Sequence, residues 1–354
     1  TIGFARRVPT YKRLTLMLRD GERLASLLLD PERPVQIIVA GKAHPADEHG
    51  KQMIQDLVRF ADDPRVRHRI VFLPDYDMEL ARELYPGCDL WLNNPLRPME
   101  ACGTSGMKVA LNGGLNVSVR DGWWDEMWDG ENGWEIPVAE DVQDPDRRDE
   151  VEAAGLYDLL HRQVIPLFYD LGEYDHPQRW LQMVAHTLRT LAPQVRATRM
   201  VRDYVGTLYV PAGAGLMALT EDGFAGAREL ARWRQKVEDG WARVRVDHVD
   251  SSGIGDTPQL GERLHVRAFV SLADLTPDEV RVRVYYGPVD ETDEFTPSYH
   301  APLDLSQTYE SGRYLFEGDV PLTVSGPFGY TVRILPHHPH LADPAELGLV
   351  VNAG

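Results

Sequence analysis

At 354 residues the chain is too long for one ordinary core, so two or three domains are expected. Its 55 acidic against 37 basic residues leave a formal net charge of −18, which argues against a nucleic-acid or anionic-membrane partner and requires any anion site to be a local basic pocket. The two cysteines, Cys88 and Cys102, offer neither a disulfide framework nor zinc spacing and suit a reducing cytoplasm, and no apolar run approaches the roughly 20 residues of a membrane span.

Ile2-Gly3-Phe4-Ala5 opens the chain as a buried strand, with no initiator Met and no leading segment, so something upstream is expected to have been removed. Tyr11 to Leu29 carries helical apolar spacing closed by Asp30-Pro31, and Val35 to Ala40 is a continuous apolar strand of the kind a sheet covered on both faces requires. A helix from Pro45 to Phe60, a strand Ile70 to Leu73, a helix Met78 to Leu84 and a strand Asp89 to Leu92 continue the alternation. This rhythm predicts an α/β fold with a doubly wound parallel sheet, whose ligands sit beyond the carboxyl ends of the strands. Asp121 to Glu126 and Gly130 to Trp134 read as aromatic loops, and Asp141 to Glu150 as a solvated connection. Helices are expected over Leu156 to Val164, Arg179 to Leu191, Arg196 to Tyr209 and Ala225 to Glu238, with Val210 to Gly215 as punctuation. Beyond Trp241, five short stretches alternating with period two predict a small antiparallel β-sandwich. The expected division is therefore residues 1–150 as a cofactor- and phosphate-binding lobe, 151–240 as a helical segment packing on it, and 241–354 as the sandwich.

Several clusters could carry chemistry. Arg6 and Arg7, with Lys12 and Arg13, flank a single turn at the end of the first strand, where four positive charges suit a polyanion such as phosphate. Gly41-Lys42-Ala43-His44 reads better as plain turn chemistry, Tyr76 could meet a phosphate or cover the sheet edge, and the tryptophans Trp123, Trp124, Trp128 and Trp134 read better as packing than as a sugar-stacking wall. His44, His49, His337, His338 and His340 have no metal spacing and read as surface residues; no metal is expected. There is neither a G-x-G-x-x-G after a strand nor a G-x-x-x-x-G-K-[ST]. Small residues from Gly103 to Gly106 instead precede an apolar helical run containing Lys108, so that backbone N–H groups can close on an anion with a lysine about one turn further in.

The run Glu-x-x-Gly-Thr-x-x-Met-Lys-x-x-Leu-Asn-Gly, Glu100 to Gly113, closely resembles the pyridoxal-phosphate segment of the α-glucan (glycogen, starch, maltodextrin) phosphorylases. Thr1 to Arg7 with Tyr11-Lys12-Arg13, Gly41 to Pro45 and Asp121 to Trp124 resemble the bacterial and archaeal branch, specifically to about residue 210 and more loosely beyond. This resemblance implies the second lobe of a two-lobed GT-B glycosyltransferase, with Lys108 joined to pyridoxal 5'-phosphate as a Schiff base and Thr104, Ser105, Arg6 and Tyr76 around the cofactor phosphate. It likewise implies Arg7 and Lys12 on the substrate phosphate, and Glu100, Cys102, Gly103 and Tyr11 on the transferred glucosyl unit. The implied reaction is retaining, reversible phosphorolysis of α-1,4-glucan by orthophosphate to glucose 1-phosphate, in the cytoplasm, with homo-oligomers possible. Cys102 stands where the family pattern has Ser, and Ser105-Gly106 where animal-type members have Gly-Asn; both positions act largely through backbone. An amino-terminal lobe is missing from this chain, so alone it is expected to be inactive or nearly so. The competing readings are a nucleotide-sugar-dependent glycogen or starch synthase and a non-catalytic carbohydrate-binding fragment.

Overall fold

The computed structural model describes residues 1–172, 175–254, 259–323 and 325–353. The chain divides into two compact units, Thr1–Arg202 and Asp203–Gly354.

Six parallel strands form the first unit: β1 (Ile2–Arg7), β2 (Ile37–Lys42), β3 (Ile70–Pro74), β4 (Leu90–Asn93), β5 (Leu115–Val119) and β6 (Gly133–Ile136). Their order, β3-β2-β1-β4-β5-β6, is doubly wound, and the direction in which strands are added to the sheet reverses between β1 and β4. Alternation along the strands sorts two cores. Phe4, Val39, Leu92 and Val117 join one cluster, with side chains from α1 (Gly21–Leu28), α2 (Glu48–Ala61) and α6 (Pro145–Leu159). Ala5, Ala40 and Trp91 point the other way, into a cluster with α3 (Met78–Gly87) and α4 (Thr104–Leu111). Gly3 permits this arrangement, because a Cβ there would lie 2.7 Å from the Trp91 ring.

In the second unit two four-stranded antiparallel sheets share one apolar core. One sheet is built around β8 (Arg263–Ser271) and β12 (Arg313–Pro321), the other around β9 (Val280–Pro288) and β13 (Phe328–Pro336). No helix among the described residues is long and apolar enough to cross a membrane.

Local chemistry accounts for the departures from the sequence expectation. The helix expected from Tyr11 is broken into 3-10 turns at Thr10–Lys12 and Leu16–Leu18, because Arg13 takes a left-handed φ of 50°; the regular helix starts only after Asp20 caps Arg23 N–H. The polar run at 141–150 is not all connection: Asp144 caps Arg147 N–H, Pro145 fills the first helical position, and α6 begins there. Strands β5 and β6 went unanticipated, β6 because its four residues lie among glycines and tryptophans. Val210 to Gly215 does not punctuate but lies inside a helix, Val210–Gly240, whose real break is the non-helical run Glu221 to Phe224. His338 is not at the surface; it is buried against Trp233, with ring centroids 4.9 Å apart.

Candidate active site at the sheet's switch point

Where adjacent strands send the chain to opposite faces of a doubly wound sheet, a crevice opens beyond their carboxyl ends. Here those ends are Arg6-Arg7 of β1 and the segment following β4, which runs through Glu100 into α4.

The turn after β1 and the loop after β4 are tied together by Arg13. Its Nε and Nη2 donate to the Asn94 and Pro95 carbonyls at 3.1 and 2.9 Å, its Nη1 pairs with Glu152 at 2.6 Å, and Asn94 Nδ2 returns a bond to the Arg13 carbonyl. Arg13 is therefore committed to the fold, and of the four cations read from the sequence Arg6, Arg7 and Lys12 remain as candidates for an anion.

Arg6 is different. It is buried, its Nη2 donates to the Leu92 carbonyl at 3.1 Å, and its Nε and Nη1 have no hydrogen-bond partner among the described residues. Burial brings the guanidinium down to about 10, opposed by the charge of Glu100 and by the phenols of Tyr76, Tyr11 and Tyr85 nearby. Lys12 is ion-paired with buried Glu100, and burial lowers the Lys12 ammonium while Glu100 opposes the shift. Tyr11 lies beneath Lys12, 4.9 Å from ring centroid to Nζ, its phenol raised by burial and then by Glu100. Arg7 is exposed and acts on Tyr11 by charge alone.

Helix α4 starts at Gly103, whose φ of 89° suits a residue without Cβ; an added Cβ would also lie 3.2 Å from Trp123. No side chain caps this helix, so the N–H groups of Thr104 and Ser105 have no carbonyl of their own helix to donate to. One turn on, Lys108 Nζ lies 3.4 Å from Thr104 Oγ1 and 5.8 Å from the centroid of the Tyr85 ring. The Tyr85 hydroxyl is 2.7 Å from that of Tyr76. Burial, followed by the Tyr85 bond, pushes the Tyr76 phenol well above its usual range. Cys102 feels Glu100, Lys108 and Lys12, and burial raises its thiol. Arg6, Tyr76, Tyr85, Lys108, Cys102 and Glu100 thus form a ring of mutually interacting groups. Replacing Gly103 by Ala is expected to cost the folded chain about 1–2 kcal/mol through left-handed strain, measured by denaturant unfolding, and to weaken anion binding at α4.

Other candidates fall away from this ring. Lys42 is exposed, and His44 Nδ1 accepts from Ala46 N–H at 3.1 Å, which is turn chemistry. Trp123, Trp124 and Trp134 are buried packing residues, and Trp128 Nε1 donates to the Gly133 carbonyl.

A family model described as "Carbohydrate phosphorylase" matches residues 5–130, and one described as "Glycogen phosphorylase C-terminal domain" matches residues 241–354. A glycogen phosphorylase of Mycobacterium tuberculosis is 58% identical over 353 residues, covering 100% of this chain and 41% of that protein. The chain belongs to the α-glucan phosphorylase family. A maltodextrin phosphorylase of Thermococcus litoralis is 39% identical across 99% of this chain and 41% of its own length, and an Aquifex aeolicus glycogen phosphorylase is 47% identical over 209 residues, 59% of this chain and 30% of its own length. The chain thus spans about two fifths, 41%, of the phosphorylases it matches end to end.

Within this phosphorylase-family chain, four side chains that contact these candidate residues or the start of α4 escaped sequence reasoning. Asp121 accepts from the N–H groups of Glu100 and Gly122 at 2.8 and 3.0 Å. Asn116 Nδ2 donates to the Gly106 carbonyl at 3.1 Å. Trp91 Nε1 donates to Ser105 Oγ at 3.1 Å. Tyr85 carried no signal beyond a large aromatic in a helical stretch.

Proposed function

We propose that this chain is the cofactor-bearing, carboxyl-terminal part of an α-glucan phosphorylase, which transfers a terminal α-1,4-glucosyl unit reversibly to orthophosphate to give α-glucose 1-phosphate with retention. The observation that carries the reading is Arg6, a buried guanidinium with two unpartnered nitrogens at a switch point where a helix N-terminus presents further donors. Such a group needs an anion. Pyridoxal 5'-phosphate fits that requirement: Lys108 supplies the amine that holds its carbonyl carbon, while Arg6, Tyr76 and the N–H groups of Thr104 and Ser105 hold its phosphate. When bound, it supplies a second phosphate able to exchange protons beside the substrate phosphate.

The chain's own residues do the rest. Lys12 and Arg7 hold orthophosphate, offsetting the repulsion between two phosphates. Glu100, its backbone fixed by Asp121, accepts from a glucosyl hydroxyl, with Tyr11 and the backbone of Cys102 and Gly103 completing that wall. Orthophosphate so held gives a proton to the departing glycosidic oxygen, the C1–O bond breaks, and a phosphate oxygen bonds C1 on the same face.

A GT-B partner lobe, amino-terminal to this one, is supported by the 41% coverage of relatives, by the match of residues 241–354 to a C-terminal domain, and by a helical surface in the second unit that exposes Tyr204, Leu208, Tyr209, Leu216 and Met217. The proposed division is 1–150, 151–240 and 241–354, the last boundary supported by the family match that begins at 241. Two free cysteines support a cytoplasmic location. Borohydride reduction of the complete protein followed by peptide mapping is expected to place a pyridoxyl group on Lys108; its absence there overturns the reading.

A further inference from the structure

We propose that Tyr85 is a positioning residue that holds Tyr76 as a donor toward the cofactor phosphate and seats Lys108; this rests on the phosphate-cofactor reading above. Tyr85 lies in the last turn of α3 and is 8% exposed. Its surroundings touch three separate parts of the proposed cofactor seat. The hydroxyl meets Tyr76 at 2.7 Å, the ring face lies 5.8 Å from Lys108 Nζ, and the ring stands edge-on to Trp91, with centroids 5.2 Å apart at 68°. Trp91 in turn donates to Ser105 Oγ at the start of α4.

Two phenols that share one hydrogen bond have one proton left over, and its direction is what matters. Tyr85 is buried, whereas Tyr76 is half-buried and follows the carboxyl end of β3, so Tyr76 is the one placed to meet an anion there. The 2.7 Å contact admits either phenol as donor, and an anion facing Tyr76 draws the Tyr76 proton outward and leaves Tyr85 to donate to the Tyr76 oxygen. The bond also polarises the Tyr76 hydroxyl, so the outward donation is strengthened. Burial keeps the Tyr76 phenol protonated far above neutral pH, so the relay does not switch off in the physiological range. The ring has a second task, since a cation over an aromatic face is held in place without neutralising it.

The test uses the complete protein, Tyr85→Phe and Tyr85→Leu, and two probes: pyridoxal 5'-phosphate and pyridoxal, which lacks the phosphate. Tyr85→Phe keeps the ring and removes the relay, so release of pyridoxal 5'-phosphate is expected to accelerate about fivefold while release of pyridoxal is unchanged. Tyr85→Leu also removes the ring and is expected to accelerate release of both. Equal acceleration of both probes in Tyr85→Phe would show a merely structural role and overturn the inference, as would no change for either. A wild-type protein that holds neither probe on Lys108 refutes the functional reading itself, whereas a wild type that holds both beside an unaltered Tyr85→Phe refutes only the role of Tyr85. Should Tyr85→Leu fail to fold, the Tyr85→Phe comparison decides alone.

Discussion

Lys12→Glu is expected to reduce phosphorolysis by about a thousandfold or more while the protein stays folded. Lys12 is the cation of an ion pair whose other member, Glu100, is 7% exposed. Charge reversal sets two carboxylates side by side where the proposed function puts orthophosphate, so it removes an attractive charge and adds a repulsive one. One carboxylate of such a pair takes up a proton more readily than usual, which relieves part of the strain on the fold but supplies nothing to hold phosphate. The double variant Lys12→Glu with Glu100→Lys separates these contributions. It restores the ion pair and is expected to recover most of the lost thermal stability without recovering turnover, because phosphate and sugar then meet the wrong charges. Steady-state rates with orthophosphate and glucan, beside thermal melting of each variant, provide both readings. Recovery of activity in the double variant would show that the pair acts only through the fold.

The doubly wound sheet was legible because its central strands are buried on both faces and therefore largely apolar, as in Ile37 to Ala40, with turn residues between. The helix start at Gly103 was legible for a related reason: four successive small residues before an apolar run have few structural explanations. What could not be read were contacts made across long stretches of chain. Arg13 and Arg6 are seven residues apart and equally cationic, yet one is neutralised by Asp149 and Glu152, over 130 residues away, and the other is buried with two nitrogens left unpartnered among the described residues. Tyr85 likewise follows Tyr76 by nine residues, and nothing in that spacing announces that α3 folds one phenol back onto the other. Asp144-Pro145 did carry a helix-start signal, but the charged residues after it give little apolar periodicity and masked it.

Arg6→Met is expected to leave the cofactor-free protein as stable as the wild type or more so, while lowering affinity for pyridoxal 5'-phosphate on the order of a hundredfold. The two effects have one cause. Arg6 binds its proton less tightly in the folded state, at about 10, than an ordinary guanidinium does. A cation depressed in this way costs the fold in full at neutral pH, and the cost is relieved only as pH rises above about 10 toward the ordinary guanidinium range. That cost is on the order of a few kcal/mol, set against one lost hydrogen bond to the Leu92 carbonyl, about 1 kcal/mol. Methionine retains much of the length packed against Phe4 and needs no partner. The penalty persists in the wild type because the unpartnered Nε and Nη1 are available to an anion, with two charge-assisted hydrogen bonds at stake. Thermal melting with and without pyridoxal 5'-phosphate, and with pyridoxal as the phosphate-free control, measures both sides. A variant that melts lower without cofactor and binds pyridoxal 5'-phosphate as tightly as the wild type would make Arg6 a structural residue and remove the principal support for a phosphate at this switch point.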